Sequence, residues 1–159
     1  AKISIDMVSI TDQKEVTSSH NVTITADKTL SEVNFEEAEM LILPGGIPGT
    51  PNLRACNALC EKLKEFAANG KKVAAVCAAP TVLGELGILE GKKATCYPSF
   101  ADKLATGDYV KQPVVTDDNV ITSRGMGTCI EFAGAIIEAL KDKATADAVK
   151  EAIIYNDVY

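Results

Sequence analysis

The chain has 159 residues, 47% hydrophobic and 24% charged, with a formal net charge of −6. That length can bury one full core, and the negative charge argues against nucleic acid or an anionic membrane as partner, since both need a basic face. No apolar run reaches the ~18 residues of a membrane-spanning helix, and the opening AKISIDMVSI lacks a signal-peptide pattern.

From the N-terminus, Lys2 to Ile10 alternates Ile3, Ile5 and Met7 and predicts a strand. TDQKEV reads as a turn. A short strand around Val22 to Thr25 follows, which makes a hairpin-like excursion plausible. The run Met40 to Leu43 predicts a buried strand, ended by Pro44, Gly45 and Gly46. Two glycines there let the backbone approach another group closely.

A helix is expected over TPNLRACNALCEKLKEFAANG, with Thr50 as cap, Pro51 at the first helical position and Gly70 at the end. Leu53, Cys56, Cys60, Leu63 and Ala67 share one face. Val73 to Val76 is a further apolar strand, and a helix follows Pro80. GKKATCY predicts a short strand and SFADKLAT a short helix. Two strands are expected around the turn Asp117-Asp118-Asn119. GTCIEFAGAIIEALKD predicts an amphipathic helix capped by Thr128, with Ile130, Ala133, Ile136, Ile137 and Leu140 as its apolar face. A last helix is expected from about Ala144 to Tyr155. This alternation predicts an α/β sandwich with a mostly parallel sheet. Ligands in such folds bind beyond the carboxyl ends of the strands, where LPGG, CAAP and SRGMGT fall.

The five cysteines are Cys56, Cys60, Cys77, Cys96 and Cys129, with no CxxC spacing. Free thiols in a reducing cytoplasm are expected. Cys56 and Cys60 lie one helical turn apart, but no further ligands accompany them, so packing is favoured over metal binding. Cys77 stands at the corner between a strand and a helix. Helix starts favour negative charge, and thiols so placed are often activated. A thiolate there can add to an aldehyde or be oxidised. The N–H groups of Gly45, Gly46 and Ala78 are the expected donors to a developing oxyanion. A small buried residue at a tight turn is the bland alternative.

Four separated motifs, LILPGG (41–46), VCAAPTVLGELGIL (76–89), GKKATCYPSF (91–100) and VITSRGMGTCIEFAGAIIEAL (120–140), resemble the ThiJ/PfpI superfamily in its Parkinson-associated protein deglycase branch. The resemblance implies a flavodoxin-like three-layer sandwich over residues 1–159, a homodimer, and Cys77 at a nucleophile elbow. It implies cofactor-independent action on reactive carbonyls such as methylglyoxal, or on early glycation adducts. The alternative it implies is a redox-sensing or chaperone-like stress protein in which Cys77 is oxidised. A cysteine peptidase or amidase is a weaker alternative, because Ala78 replaces the histidine expected after the nucleophile.

The resemblance also implies an N-terminal strand and helix carrying a glutamate that bonds the cysteine. Glu15, Glu32, Glu36, Glu37 and Glu39 fall in the wrong segments to supply it, so a preceding piece of chain is expected to do so. A second chain, a swapped element or a rearranged sheet would be the other solutions. Tyr97 stands where many members place a histidine, and a phenol is a poor base at neutral pH. Cys96 beside it is a candidate second thiol, with a buried strand cysteine as the plainer reading. His20, the single histidine, matches a loop that can approach the site near the dimer partner. Arg124 is a candidate for orienting loops through a carboxylate pair. Cys129, in a first helical turn, is expected mainly to pack. No metal or organic cofactor is expected.

Overall fold

The computed structural model describes residues 1–155. Its centre is a four-stranded sheet in the order β5 (Met40–Leu43), β6 (Lys72–Val76), β10 (Val120–Ser123) and β9 (Val114–Asp117). The first three strands run parallel, and β9 returns antiparallel. β6 and β10 are buried along nearly their whole length, as continuous apolar runs in a covered parallel sheet must be. Ladder bonds on both sides of β6 fix Val73 opposite Leu41 and Val120, and Ala75 opposite Leu43 and Thr122.

Helices cover both faces. On one face α1 (Gly49–Ala55), α2 (Asn57–Ala68) and α3 (Pro80–Glu85) enclose a core of Leu59, Leu63, Phe66, Val73, Val82, Leu83 and Leu89. On the other, α4 (Cys129–Leu140) packs against Ala74, Val76 and Ile121 through Phe132, Ala135, Ile136 and Ala139. α5 (Lys143–Ala152) lies against α4. Three small two-stranded pairings surround this body. They are β1 (Val8–Ser9) with β4 (Lys28–Thr29), β2 (Glu15–Thr17) with β3 (Thr23–Thr25), and β7 (Lys93–Ala94) with β8 (Asp108–Tyr109).

Several expectations need correction. The N-terminal strand shrinks to Val8–Ser9, the part that pairs with β4. Ile5 is 72% exposed and Met7 48%. Alternation alone makes no strand; the backbone groups need a ladder partner. Glu15 and Val16, at the end of the stretch read as a turn, join Thr17 in β2 of a hairpin whose tip spans 18–22. The expected helix from Thr50 is two helices, because Cys56 between them is extended at φ −82°, ψ 92°. Helicity starts at Gly49, so Thr50 lies inside α1, buried and without a side-chain partner for its Oγ1, and Pro51 is the third residue rather than the first.

Thr128 precedes α4 as expected but makes no side-chain cap bond; its Oγ1 instead contacts Ser123 Oγ at 2.7 Å. The apolar face of α4 is also displaced, since Ile130 is exposed and Phe132 is buried. The short helix after Tyr97 is a 3₁₀ helix, Pro98–Lys103, and the last helix ends at Ala152 rather than Tyr155. The strands Met40–Leu43 and Val73–Val76, and the pair around Asp118, stand where the sequence places them, but Met40–Leu43 is buried only at Leu43, because β5 is an edge strand of the four-stranded sheet.

Candidate active site at the cysteine corner

The carboxyl ends of β5, β6 and β10 meet at one edge of the sheet, and Cys77 follows directly after β6. Its backbone is left-handed, at φ +65°. For a residue with a Cβ this conformation is uncommon and strained. Several bonds hold it there. The Cys77 N–H donates to the Ser123 carbonyl at 3.0 Å, and the Cys77 carbonyl accepts from the Tyr97 N–H at 2.8 Å. The next turn is tied by Ala79 N–H to the Val76 carbonyl at 3.1 Å and by Thr81 Oγ1 to the Ala78 carbonyl at 2.7 Å. α3 begins only at Pro80, so Cys77 stands three residues ahead of the first helical residue.

Gly45 packs directly onto this corner. A Cβ there would lie 2.4 Å from the Val76 carbonyl oxygen and 3.0 Å from the Cys77 Cβ. Both Gly45 and Gly46 have φ +85°. Among the described residues, no hydrogen bond takes up the N–H groups of Gly45, Gly46 or Ala78. The loop 44–46 and the turn 77–79 thus sit against each other with backbone donors to spare. Cys77 itself is partly exposed. A groove of about 620 Å³ is lined by Ile47, Thr50, Arg54, Glu85 and Phe100 among others, and Cys77 is not part of its lining.

Tyr97 joins the site through its backbone bond to Cys77. The residue is 47% exposed, and its ring faces Gly125, where a Cβ would touch ring Cδ2 at 3.4 Å. Cys96 is fully buried. Burial pushes its thiol up to about 11, ionisation of Cys77 pushes in the same direction, and Arg124 opposes both. Arg124 belongs to the same edge, but the expected carboxylate pair does not form. Among the described residues it has no ion pair, and its buried Nε has no hydrogen-bond partner. The hydrogen bonds of His20 are local, to Ser18 and Ser19 in the hairpin tip, and among the described residues nothing joins it to Cys77. Cys129 is exposed at the start of α4, with its Sγ 3.5 Å from the Gly125 carbonyl. Among the described residues no group of three His, Cys, Asp or Glu side chains is placed to hold a metal.

Two positioning residues escaped the sequence reading. Ser123 ends β10, receives the Cys77 N–H on its carbonyl, and donates through Oγ to the Pro113 carbonyl at 2.9 Å. Thr81 fixes the Ala78 carbonyl. The one signal for either was a polar residue in an apolar run, Ser123 closing VITS and Thr81 interrupting AAPTVL.

A covered parallel sheet with a strained cysteine after its central strand defines the flavodoxin-like class of sandwich with a nucleophile elbow. Within that class the chain belongs to the DJ-1/PfpI family, whose model matches residues 1–139. Protein DJ-1 homolog A of Arabidopsis thaliana is 39% identical over 153 residues; the match covers 94% of this chain but only 39% of the length of that relative. The glutathione-independent glyoxalase DJR-1.2 of Caenorhabditis elegans is 39% identical over 120 residues, covering 74% of this chain and 63% of that protein. The structure of oxidized DJ-1 from Toxoplasma gondii superposes with a TM-score of 0.88 at 36% identity, covering 96% of this chain and 82% of that one. No helix among the described residues is long and apolar enough to cross a membrane.

Proposed function

We propose that the chain acts on small reactive carbonyls, with methylglyoxal or a glycated adduct as substrate, and that Cys77 is its nucleophile. The observation that carries this reading is the left-handed Cys77, held by bonds to Ser123 and Tyr97 beside uncommitted backbone donors. In this reading the Cys77 thiolate adds to the aldehyde carbon to give a hemithioacetal. The N–H groups of Gly46 and Ala78, with Gly45 shaping the loop, receive the oxygen that becomes negative. A donor already fixed in place needs no reorganisation as charge develops, which is how such groups lower a barrier.

Conversion of methylglyoxal to lactate oxidises the aldehyde carbon and reduces the neighbouring ketone within one molecule, so it needs water but no redox cofactor. It does need a proton carrier. Tyr97 is a poor one, and the resemblance assigns the role to a glutamate on an N-terminal helix. We place the protein in the cytoplasm as a homodimer, with apolar surface at Met126 and Ile130, 90% and 40% exposed, available to the partner. The relative named as a glutathione-independent glyoxalase supports the choice of chemistry. The test is methylglyoxal consumption without glutathione. Cys77→Ala should fall to the buffer rate, whereas Cys129→Ala should keep the wild-type rate. Equal rates for wild type and Cys77→Ala would refute the assignment.

A further inference from the structure

Cys77 keeps a strained backbone, and the groups that hold it meet at one side chain. The Cys77 N–H donates to the Ser123 carbonyl at 3.0 Å, and the Cys77 carbonyl accepts the Tyr97 N–H at 2.8 Å. These two groups belong to the rigid peptide planes on either side of the Cys77 Cα. Holding both planes fixes φ and ψ between them. A left-handed residue with a Cβ persists only where its surroundings over-determine it. The turn that follows β10 touches both holders. Ser123 leads into it, and the Tyr97 ring lies against Gly125, where a Cβ would stand 3.4 Å from ring Cδ2.

Thr128, at the end of a short 3₁₀ turn Met126–Thr128, ties these pieces together. Its Oγ1 lies 2.7 Å from Ser123 Oγ and accepts the Gly125 N–H at 3.2 Å. Ser123 Oγ is also 2.9 Å from the Pro113 carbonyl oxygen. Each hydroxyl has one proton to give. The Pro113 carbonyl can only accept, so Ser123 donates there and Thr128 donates to Ser123. The Gly125 carbonyl lies 3.0 Å from the same Thr128 hydroxyl, but it already accepts the Thr128 N–H. Three bonds thus run in one direction, from Gly125 N–H through Thr128 and Ser123 to Pro113. In such a chain each bond polarises the next. Ser123 and Gly125 are both buried, so water does not readily replace the hydroxyl between them.

We propose that Thr128 is a positioning residue for the carbonyl reaction: its hydroxyl joins Ser123 to Gly125 and so keeps both peptide planes of Cys77 aligned with the backbone donors of Gly46 and Ala78. This rests on the reading of Cys77 as the nucleophile. Thr128 acts through Ser123 and Gly125, not on the reacting atoms. Removing its hydroxyl strips a partner from Ser123 Oγ and from the Gly125 N–H at once. The turn is then free to shift against Ser123 and Tyr97 together. A misplacement of about 1 Å costs on the order of 100-fold in rate, so a fraction of that shift is measurable. The loss falls on kcat, because a misplaced thiolate still admits the substrate but meets the oxyanion donors poorly.

The test compares Thr128→Val, which keeps the side-chain shape without the hydroxyl, with Thr128→Ser, which keeps the hydroxyl. Methylglyoxal turnover without glutathione is measured on the whole protein beside wild type and Cys77→Ala. Thr128→Val should lose about 10- to 100-fold in kcat with KM changed by less than about twofold. Thr128→Ser should recover most of that loss. A Thr128→Val kcat equal to wild type would show the positioning role wrong while the Cys77 reading stands. A Thr128→Ser variant as slow as Thr128→Val would assign the loss to packing and overturn the proposal. If wild type shows no turnover above Cys77→Ala, the nucleophile reading fails and this one with it. Should Thr128→Val not fold, Ser123→Ala takes its place, since it removes the other hydroxyl of the pair and keeps the carbonyl that receives the Cys77 N–H. It should show the same fall in kcat, and a wild-type kcat there overturns the proposal.

Discussion

Substituting Gly45 tests how the corner is built. Two costs apply to Gly45→Ala. Its φ of +85° lies where a residue with a Cβ is strained, worth about 1 kcal/mol. The new methyl would also meet the Val76 carbonyl oxygen at 2.4 Å. That oxygen cannot move aside easily. It ends β6, which is laddered to β5 and β10, and it accepts the Ala79 N–H. Overpacking against an immobile neighbour adds about 2 kcal/mol. The total, about 3 kcal/mol, corresponds to a Tm drop of about 6–12 °C for a chain of this size. Gly46→Ala supplies the control. Gly46 has the same φ, but nothing lies within 4 Å of its hypothetical Cβ. It should lose only the conformational part, about 1 kcal/mol. Thermal melts of both variants separate the terms. A Gly45→Ala melt no lower than that of Gly46→Ala would mean the loop does not press on the elbow as described.

Three further outcomes follow from particular bonds. Cys96 ionises near pH 11 in the folded chain against an ordinary value of 9, so above pH 9 the unfolded state releases its proton first and folding loses stability. The loss is about 1.4 kcal/mol at pH 10 relative to pH 7, and in urea titrations the loss should be larger by about that amount in wild type than in Cys96→Ala, where the Cys60 thiol, also raised by burial, still contributes. Asn119 Nδ2 donates to the Ala67 and Lys71 carbonyls at 3.1 and 2.8 Å, tying the end of α2 and the start of β6 to the β9–β10 turn. Asn119→Ala should cost about 1–3 kcal/mol in urea unfolding, and a loss within error of zero would remove that tie from the account. Asp142 Oδ1 accepts the Thr145 N–H at 2.7 Å, which holds its carboxyl below the ordinary range. The cap is complete above that range and is lost as pH falls through the depressed value. Hydrogen exchange should therefore show α5 amides losing protection in acid, and at neutral pH in Asp142→Ala.

Much of the sheet was legible because buried parallel strands are unbroken apolar runs. VAAV could be little else; MLIL is as apolar, yet Met40, Leu41 and Ile42 are only half-buried because β5 stands at the edge of the four-stranded sheet. The N-terminal alternation was equally clear, yet Ile5 and Met7 are exposed, since a period of two says nothing about whether a neighbouring strand exists. The break at Cys56 left no mark, because neither glycine nor proline makes it. α4 misled for the opposite reason. Ile130, Phe132, Ala133, Ile136 and Ile137 surround the helix, so apolar spacing could not choose between faces, and packing against Ala74 and Ile121 made the choice. At the site, the cysteine corner and the paired glycines were readable from residue type and order. Ser123 and Thr81 were not, because their contributions run through one backbone carbonyl and one hydroxyl.

The measurement that bears most directly on the central claim is the number of lactate molecules formed per protein molecule from methylglyoxal, without glutathione. Wild type and Cys77→Ala should be compared after their folds are matched by circular dichroism. Many turnovers are expected in wild type and none above buffer in Cys77→Ala. Lactate formation that survives in Cys77→Ala would contradict it, as would a wild-type yield that stops at one equivalent or less.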